Sequence, residues 1–165
     1  MRVRTFVVFL VATTLAAFAA AQTKTSGALQ CGKPDPFQKV DIGDKPNHAM
    51  TLSKVACTWT KPFEIAGIAT KDGASTATGE ISGDKSWEHG IHYSNMSNGD
   101  RIFVKYQGSS KLKDGAPQTA EGTWSYTGGT GKMKGIKGKG TYKGGPPAAD
   151  GSMTFEVEGE YELPK

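Results

Sequence analysis

Few groups of residues in this chain have the types and spacing that chemistry needs. Glu88, His89 and His92 form the densest cluster of possible metal ligands, but Glu88-His89-Gly90-Ile91-His92 is not the H-E-x-x-H pattern of a helical zinc site. On a strand, a separation of three places His89 and His92 on opposite faces. With only His48 besides, no set of three converging ligands is legible, and no metal or other cofactor is expected. Gly128-Gly129-Thr130-Gly131-Lys132 looks like a phosphate loop, yet Tyr126 stands where its first glycine belongs. Met133 stands where a magnesium-binding Ser or Thr belongs. A tight turn, with one helical turn around Lys132–Lys134, is the plainer reading. No serine lies in a nucleophile-elbow context. The catalytic residues therefore stay unassigned, with Glu64, Glu80 and His92 as the ionisable candidates for an interior position.

Two cysteines remain, Cys31 and Cys57. There is no C-x-x-C, so a single structural disulfide is expected, one that fits an oxidising compartment. Closing that loop is worth roughly 3–4 kcal/mol in the chain-entropy model. The N-terminus agrees with export. Arg2 and Arg4 precede an apolar stretch from Thr5 to Phe18, and Ala19-Ala20-Ala21 offers a cleavage site before Gln22. Residues 1–21 are thus expected to be a signal peptide and the protein to be secreted or periplasmic, with no membrane partner after cleavage. The whole chain of 165 residues carries a net +4. Loss of two arginines leaves 18 basic and 16 acidic residues, a net of +2, with Arg101 the sole arginine. That balance argues against a nucleic-acid partner.

The elements that must position any site are strands. Short alternating runs separated by Gly, Asn, Asp and Pro recur throughout, and no helical period is sustained. Strands are expected at 50–60, 63–70, 76–82, 88–96, 101–109, 119–127, 136–143 and 152–163. Asn98-Gly99 is the strongest hairpin signal. The fold class is therefore all-β: one antiparallel, closed barrel of about eight strands over 49–165. Residues 22–48 are expected to be an irregular arm tied down by the disulfide.

Alternation assigns the faces. In 152–163, Met153, Phe155, Val157, Tyr161 and Leu163 share one face, and Thr154 with four glutamates takes the other. In 136–143, Lys137, Lys139, Thr141 and Lys143 oppose Ile136, Gly138, Gly140 and Tyr142. A hairpin loop at 144–151 would set Lys143 opposite Ser152, Lys139 opposite Glu156 and Lys137 opposite Glu158. The two charge runs then become a paired outer face, and Gly140 lies beneath Phe155. The inner surface gathers Trp124, Tyr126, Tyr142 and Phe155 among inward glycines. These rings either interlock and fill the barrel or wall an aromatic cavity for a small apolar ligand.

The segment Gly122-Thr123-Trp124-Ser125-Tyr126-Thr127-Gly128-Gly129-Thr130-Gly131-Lys132-Met133-Lys134-Gly135-Ile136-Lys137-Gly138 resembles the GGTG-x-aromatic-x-G stretch of the dirigent and allene oxide cyclase-like barrel superfamily. The similarity is greatest to small exported bacterial proteins of that kind. It is specific over about 119–162, and Met133 departs from the aromatic residue usual in the plant proteins. The resemblance implies an eight-stranded antiparallel barrel with an internal cavity and no cofactor. Such proteins bind small apolar molecules or guide their cyclisation and coupling. None of the family's acidic or arginine site residues can be matched here. Three functions stay open: lumenal binding of a small apolar or aromatic molecule at Trp124, Tyr126, Tyr142 and Phe155; a cofactor-independent cyclase or isomerase; and a scaffold for macromolecular partners. A homo-oligomer is open in each case.

Overall fold

A computed structural model describes residues 22–164, so the expected signal at 1–21 lies outside the described residues. Ten strands follow one another: β1 (Thr23–Cys31), β2 (Phe37–Asp41), β3 (His48–Lys61), β4 (Glu64–Ile65), β5 (Ile68–Ser82), β6 (Lys85–Met96), β7 (Arg101–Lys113), β8 (Ala116–Gly129), β9 (Lys137–Gly144) and β10 (Met153–Glu162). One 3-10 turn, Gly131–Met133, separates β8 from β9. Eight of the strands close an antiparallel barrel in the order β1–β3–β5–β6–β7–β8–β9–β10 and back to β1. β2 and β4 are short additions on β3 and β5.

The stagger of the barrel can be followed through paired residues. Ala49 leads through Ile81, Ser86, Ser110, Ala120, Gly144, Phe155 and Leu29 to Trp59, ten residues further along β3. A stagger larger than the strand number tilts the strands and widens the tube beyond what small side chains would fill. Apolar side chains close one end. Phe63, Ile65, Met96, Ile102, Met133 and Ile136 are all buried there. The glycine-rich 128–131 segment belongs to this closure. Its 3-10 turn points Met133 inward, and Asp100 holds it from the β6–β7 connection by accepting the Lys132 backbone N–H at 3.0 Å. The segment is a turn, as its departures from a phosphate loop require. Asn98-Gly99 likewise forms the β6–β7 connection, with Gly99 at φ 87° and Asn98 Oδ1 accepting the Asp100 N–H at 3.1 Å.

Three expectations need correction. Residues 22–48 are not an irregular arm. β1 is a full member of the barrel, paired with β10 along its whole length and with β3 at its end. Its inward positions are Thr25, Gly27, Leu29 and Cys31, so a single large apolar residue marks the face. The nearby prolines, Pro34 and Pro36, fall in the β1–β2 connection. Second, 63–70 is not a strand. It is a tight hairpin in which Ala66 and Gly67 take left-handed φ values of 50° and 75° between β4 and β5. Third, the β9–β10 register differs by four residues. Lys143 pairs with Glu156, Lys139 with Glu160 and Lys137 with Glu162. An even shift leaves every face unchanged, so the Lys/Glu face still points outward. The glycine opposite Phe155 is Gly144 rather than Gly140.

The disulfide joins Cys31 to Cys57, a directly paired position of β1 and β3. It therefore fastens the first strand to the strand that carries the barrel's seam.

Candidate functional site

The interior is built from rings laid over glycines. Tyr142 on β9 lies across Gly122 of β8 and reaches Gly108 of β7 with its hydroxyl. Trp124 on β8 lies across Gly140 and Gly159 of the next two strands. Tyr106 covers Gly90, Phe155 covers Gly144 and Trp59 covers Gly27. A Cβ placed on Gly140 would stand 2.6 Å from Trp124 Cε2, and one on Gly144 would stand 2.8 Å from Phe155 Cδ1. No ordinary contact is that short, so these positions must stay bare. The rings meet edge to face. Trp124 and Tyr126 have centroids 5.1 Å apart, Tyr142 and Phe155 5.9 Å, and Tyr106 and Tyr142 6.1 Å. That geometry is favourable for aromatic pairs.

Because each ring lies along the wall, the middle of the tube stays open. A cavity of about 640 Å³ runs from the closed end to a mouth formed by residues of the 32–36, 112–117 and 145–151 connections. Trp124, Tyr126, Tyr142 and Phe155 all line it, joined by Trp59, Phe63, Tyr106, Val55 and Val104. The aromatic residues read from the sequence thus share one chamber, and the alternative of a filled barrel is resolved in favour of a hollow one.

A directed chain of hydrogen bonds crosses one wall. Trp59 Nε1–H donates to Ser94 Oγ at 2.9 Å, and Ser94 Oγ lies 2.9 Å from His92 Nε2. His92 Nδ1 lies 2.8 Å from Ser75 Oγ. An indole N–H only donates. Ser94 is 1% exposed and has no other side-chain partner among the described residues, so its hydrogen must go to His92 Nε2. His92 then carries its proton on Nδ1 and donates to Ser75. Burial holds the His92 pKa down at about 4, so the ring is neutral with both nitrogens engaged. His92 is therefore a positioning residue rather than a free base.

Glu88 stands four residues before His92 on the same inward face of β6 and lines the cavity. It has no side-chain hydrogen-bond partner among the described residues. Burial pushes its carboxyl above the usual carboxylate range. Burial also raises the phenols of Tyr106, Tyr126 and Tyr142, and the charge of Glu88 adds to this at Tyr106 and Tyr142. The hydroxyls of Tyr126 and Tyr142 are buried with no hydrogen-bond partner among the described residues.

Of the three ionisable candidates, only His92 faces inward. Glu64 is exposed on β4, and Glu80 points out of the barrel, where it accepts from His48 Nε2 at 2.9 Å. His89, as the alternation requires, is outside and bonds to Thr78 at 3.1 Å. Glu88 was missed as an interior group, along with Ser75, Ser94, Tyr106 and Trp59. The signal was present: Glu88, Gly90, His92 and Ser94 share one face of a strand. It was masked because β6 is turned inside out, with Trp87 and Ile91 about half exposed on its outer face. Among the described residues, no three His, Cys, Asp or Glu side chains converge as metal ligands would.

Fold and site together define a hollow antiparallel β-barrel with an aromatic chamber and, among the described residues, one carboxyl deep inside it. No family model matches the chain, and no curated protein matches it. Among solved structures, the chain is similar to the pterocarpan synthase dirigent protein GePTS1. The identity is 13% and the TM-score 0.49, over 96% of this chain and all of that one. It is also similar to the pterocarpan synthase dirigent protein PsPTS1. There the identity is 15% and the TM-score 0.49, over 88% of this chain and 97% of that one.

Proposed function

We propose that this is an exported binding protein that takes a small, largely apolar molecule into the barrel. The observation that carries the reading is the chamber itself. Rings seated on glycines keep about 640 Å³ open, and the Tyr126 and Tyr142 hydroxyls within its wall find no partner among the described residues. A chamber of this size suits one small ligand. Trp124, Tyr126, Tyr142 and Phe155 would supply the apolar contact, and the tyrosine hydroxyls would fix its orientation. Export rests on the N-terminal pattern, and the Cys31–Cys57 disulfide agrees with an oxidising compartment. Native mass spectrometry of the exported protein, purified without denaturation, tests both parts. The expected spectrum shows a chain beginning at Gln22 with an added small mass that leaves on denaturation. A protein that is empty and takes up no apolar probe would overturn the binding reading.

A cofactor-independent cyclase or isomerase is the second reading, favoured by the inward Glu88, which can exchange a proton with a confined substrate. The two readings part on the recovered molecule. Binding returns it unchanged, and catalysis returns it rearranged.

A further inference from the structure

The charges around the chamber are distributed unevenly. Of the residues that line it, Lys33 and Asp150 are charged but belong to the loops at the mouth, and His92 is neutral. Arg101 lies outside, over the ring of Tyr93 at 5.4 Å. Among the described residues, Glu88 is left as a single acid deep in the tube with no cation to meet it. Its two sheet neighbours are Gly79 on β5 and Gly108 on β7, so no side chain from either flanking pair crowds it. Tyr106 and Tyr142, edge to face, stand beside it, and Trp124 follows on β8.

An isolated carboxylate in an apolar chamber is costly, and a partner cation removes that cost. Aromatic faces attract cations as well, most strongly where water is excluded. A carboxylate in an aromatic chamber is the chemistry that recognises an organic ammonium group. We propose that the lumen selects a small lipophilic amine, bound as its cation with the ammonium group at Glu88 and against the rings of Tyr106 and Tyr142. This rests on the lumenal-binding reading and narrows its ligand. The apolar body of such a molecule would lie along Trp124 and Phe155.

Two probes of one shape separate the ideas. 1-Aminoadamantane is a cation at neutral pH, and 1-adamantanol is its neutral counterpart. By calorimetry at pH 7, the wild-type protein is expected to bind the amine at least about tenfold more tightly than the alcohol. In Glu88→Gln the gap should close, with the alcohol's affinity kept within about twofold. The wild-type protein alone gives a second measure: amine affinity should fall as pH is lowered and Glu88 takes up a proton. The titratable groups that face Glu88 are His92 on its own strand, Tyr106 on β7 and Tyr142 on β9, while β5 and β8 offer Gly79 and Gly122. Equal affinity for the two probes, tighter binding of the alcohol, or a gap that survives in Glu88→Gln would overturn the amine and leave lumenal binding standing. Binding of neither probe would remove both.

Discussion

Single residues in this barrel are constrained by what they must leave empty. Gly122 and Gly140 each lie beneath a ring, and a Cβ on either would also strike the backbone of the adjoining strand. Gly140→Ala should therefore cost about 1–3 kcal/mol, measured by urea unfolding, despite the higher strand propensity of alanine. Tyr142→Phe should behave oppositely. It removes a buried hydroxyl with no partner, so stability should hold or rise by up to about 1 kcal/mol. His92 makes stability depend on pH. Its folded pKa, about 4, lies below the ordinary 6.5, so the unfolded chain binds more protons between these values. Its contribution is complete above 6.5 and is lost as pH falls toward 4, by roughly 3 kcal/mol. Glu88, shifted upward by burial, works in the opposite direction as its carboxyl takes up a proton. A comparison of wild type with His92→Gln in urea between pH 7 and pH 4 isolates the histidine, and the variant should show a flatter dependence.

At the scale of elements, the alternation of the outer faces was legible from residues alone. The Lys run of β9 and the Glu run of β10 do pair across the sheet, and the aromatic residues of β8, β9 and β10 do point inward. Register was not legible, because alternation cannot distinguish pairings that differ by an even step. What selects the observed register is Trp124, whose ring needs two bare positions side by side, and these are Gly140 and Gly159. β1 escaped because threonine and glycine hold its inward positions, and β6 escaped because its polar residues turn inward. In both strands the hydrophobic pattern that normally marks an inward face is missing. The β2–β3 connection carries its own electrostatic clasp. His48, between Asp44 and Glu80, has its pKa raised chiefly by the hydrogen bond to Glu80 and then by that to Asp44. The clasp is complete below the histidine's ordinary value and is lost as pH rises through the raised one. Hydrogen exchange in β2 should therefore quicken from pH 6 to pH 9, after correction for the intrinsic rate, and His48→Ala should abolish that change.

For the whole molecule, the two ends of the tube differ in kind. One is packed with Phe63, Ile65, Met96 and Met133, and the other opens between loops. Amides near the packed end should exchange only by global unfolding, whereas those around the mouth should exchange by local opening. Reduction of Cys31–Cys57 should lower global stability by up to about 3–4 kcal/mol, read as a shift in the urea midpoint, with β1 the first strand to lose protection.

β1 also sets the timing of assembly. Its partner along all nine residues is β10, so the earliest strand of the barrel pairs with the last. Loop closure across almost the entire chain must precede that pairing, and such long-range contacts form slowly. A chain emerging from its N-terminus can dock the end of β1 on β3 and complete the β5–β8 meander while the rest of β1 still waits. The tube cannot shut until β10 has appeared, so any molecule it holds enters a finished barrel or is enclosed at that final step.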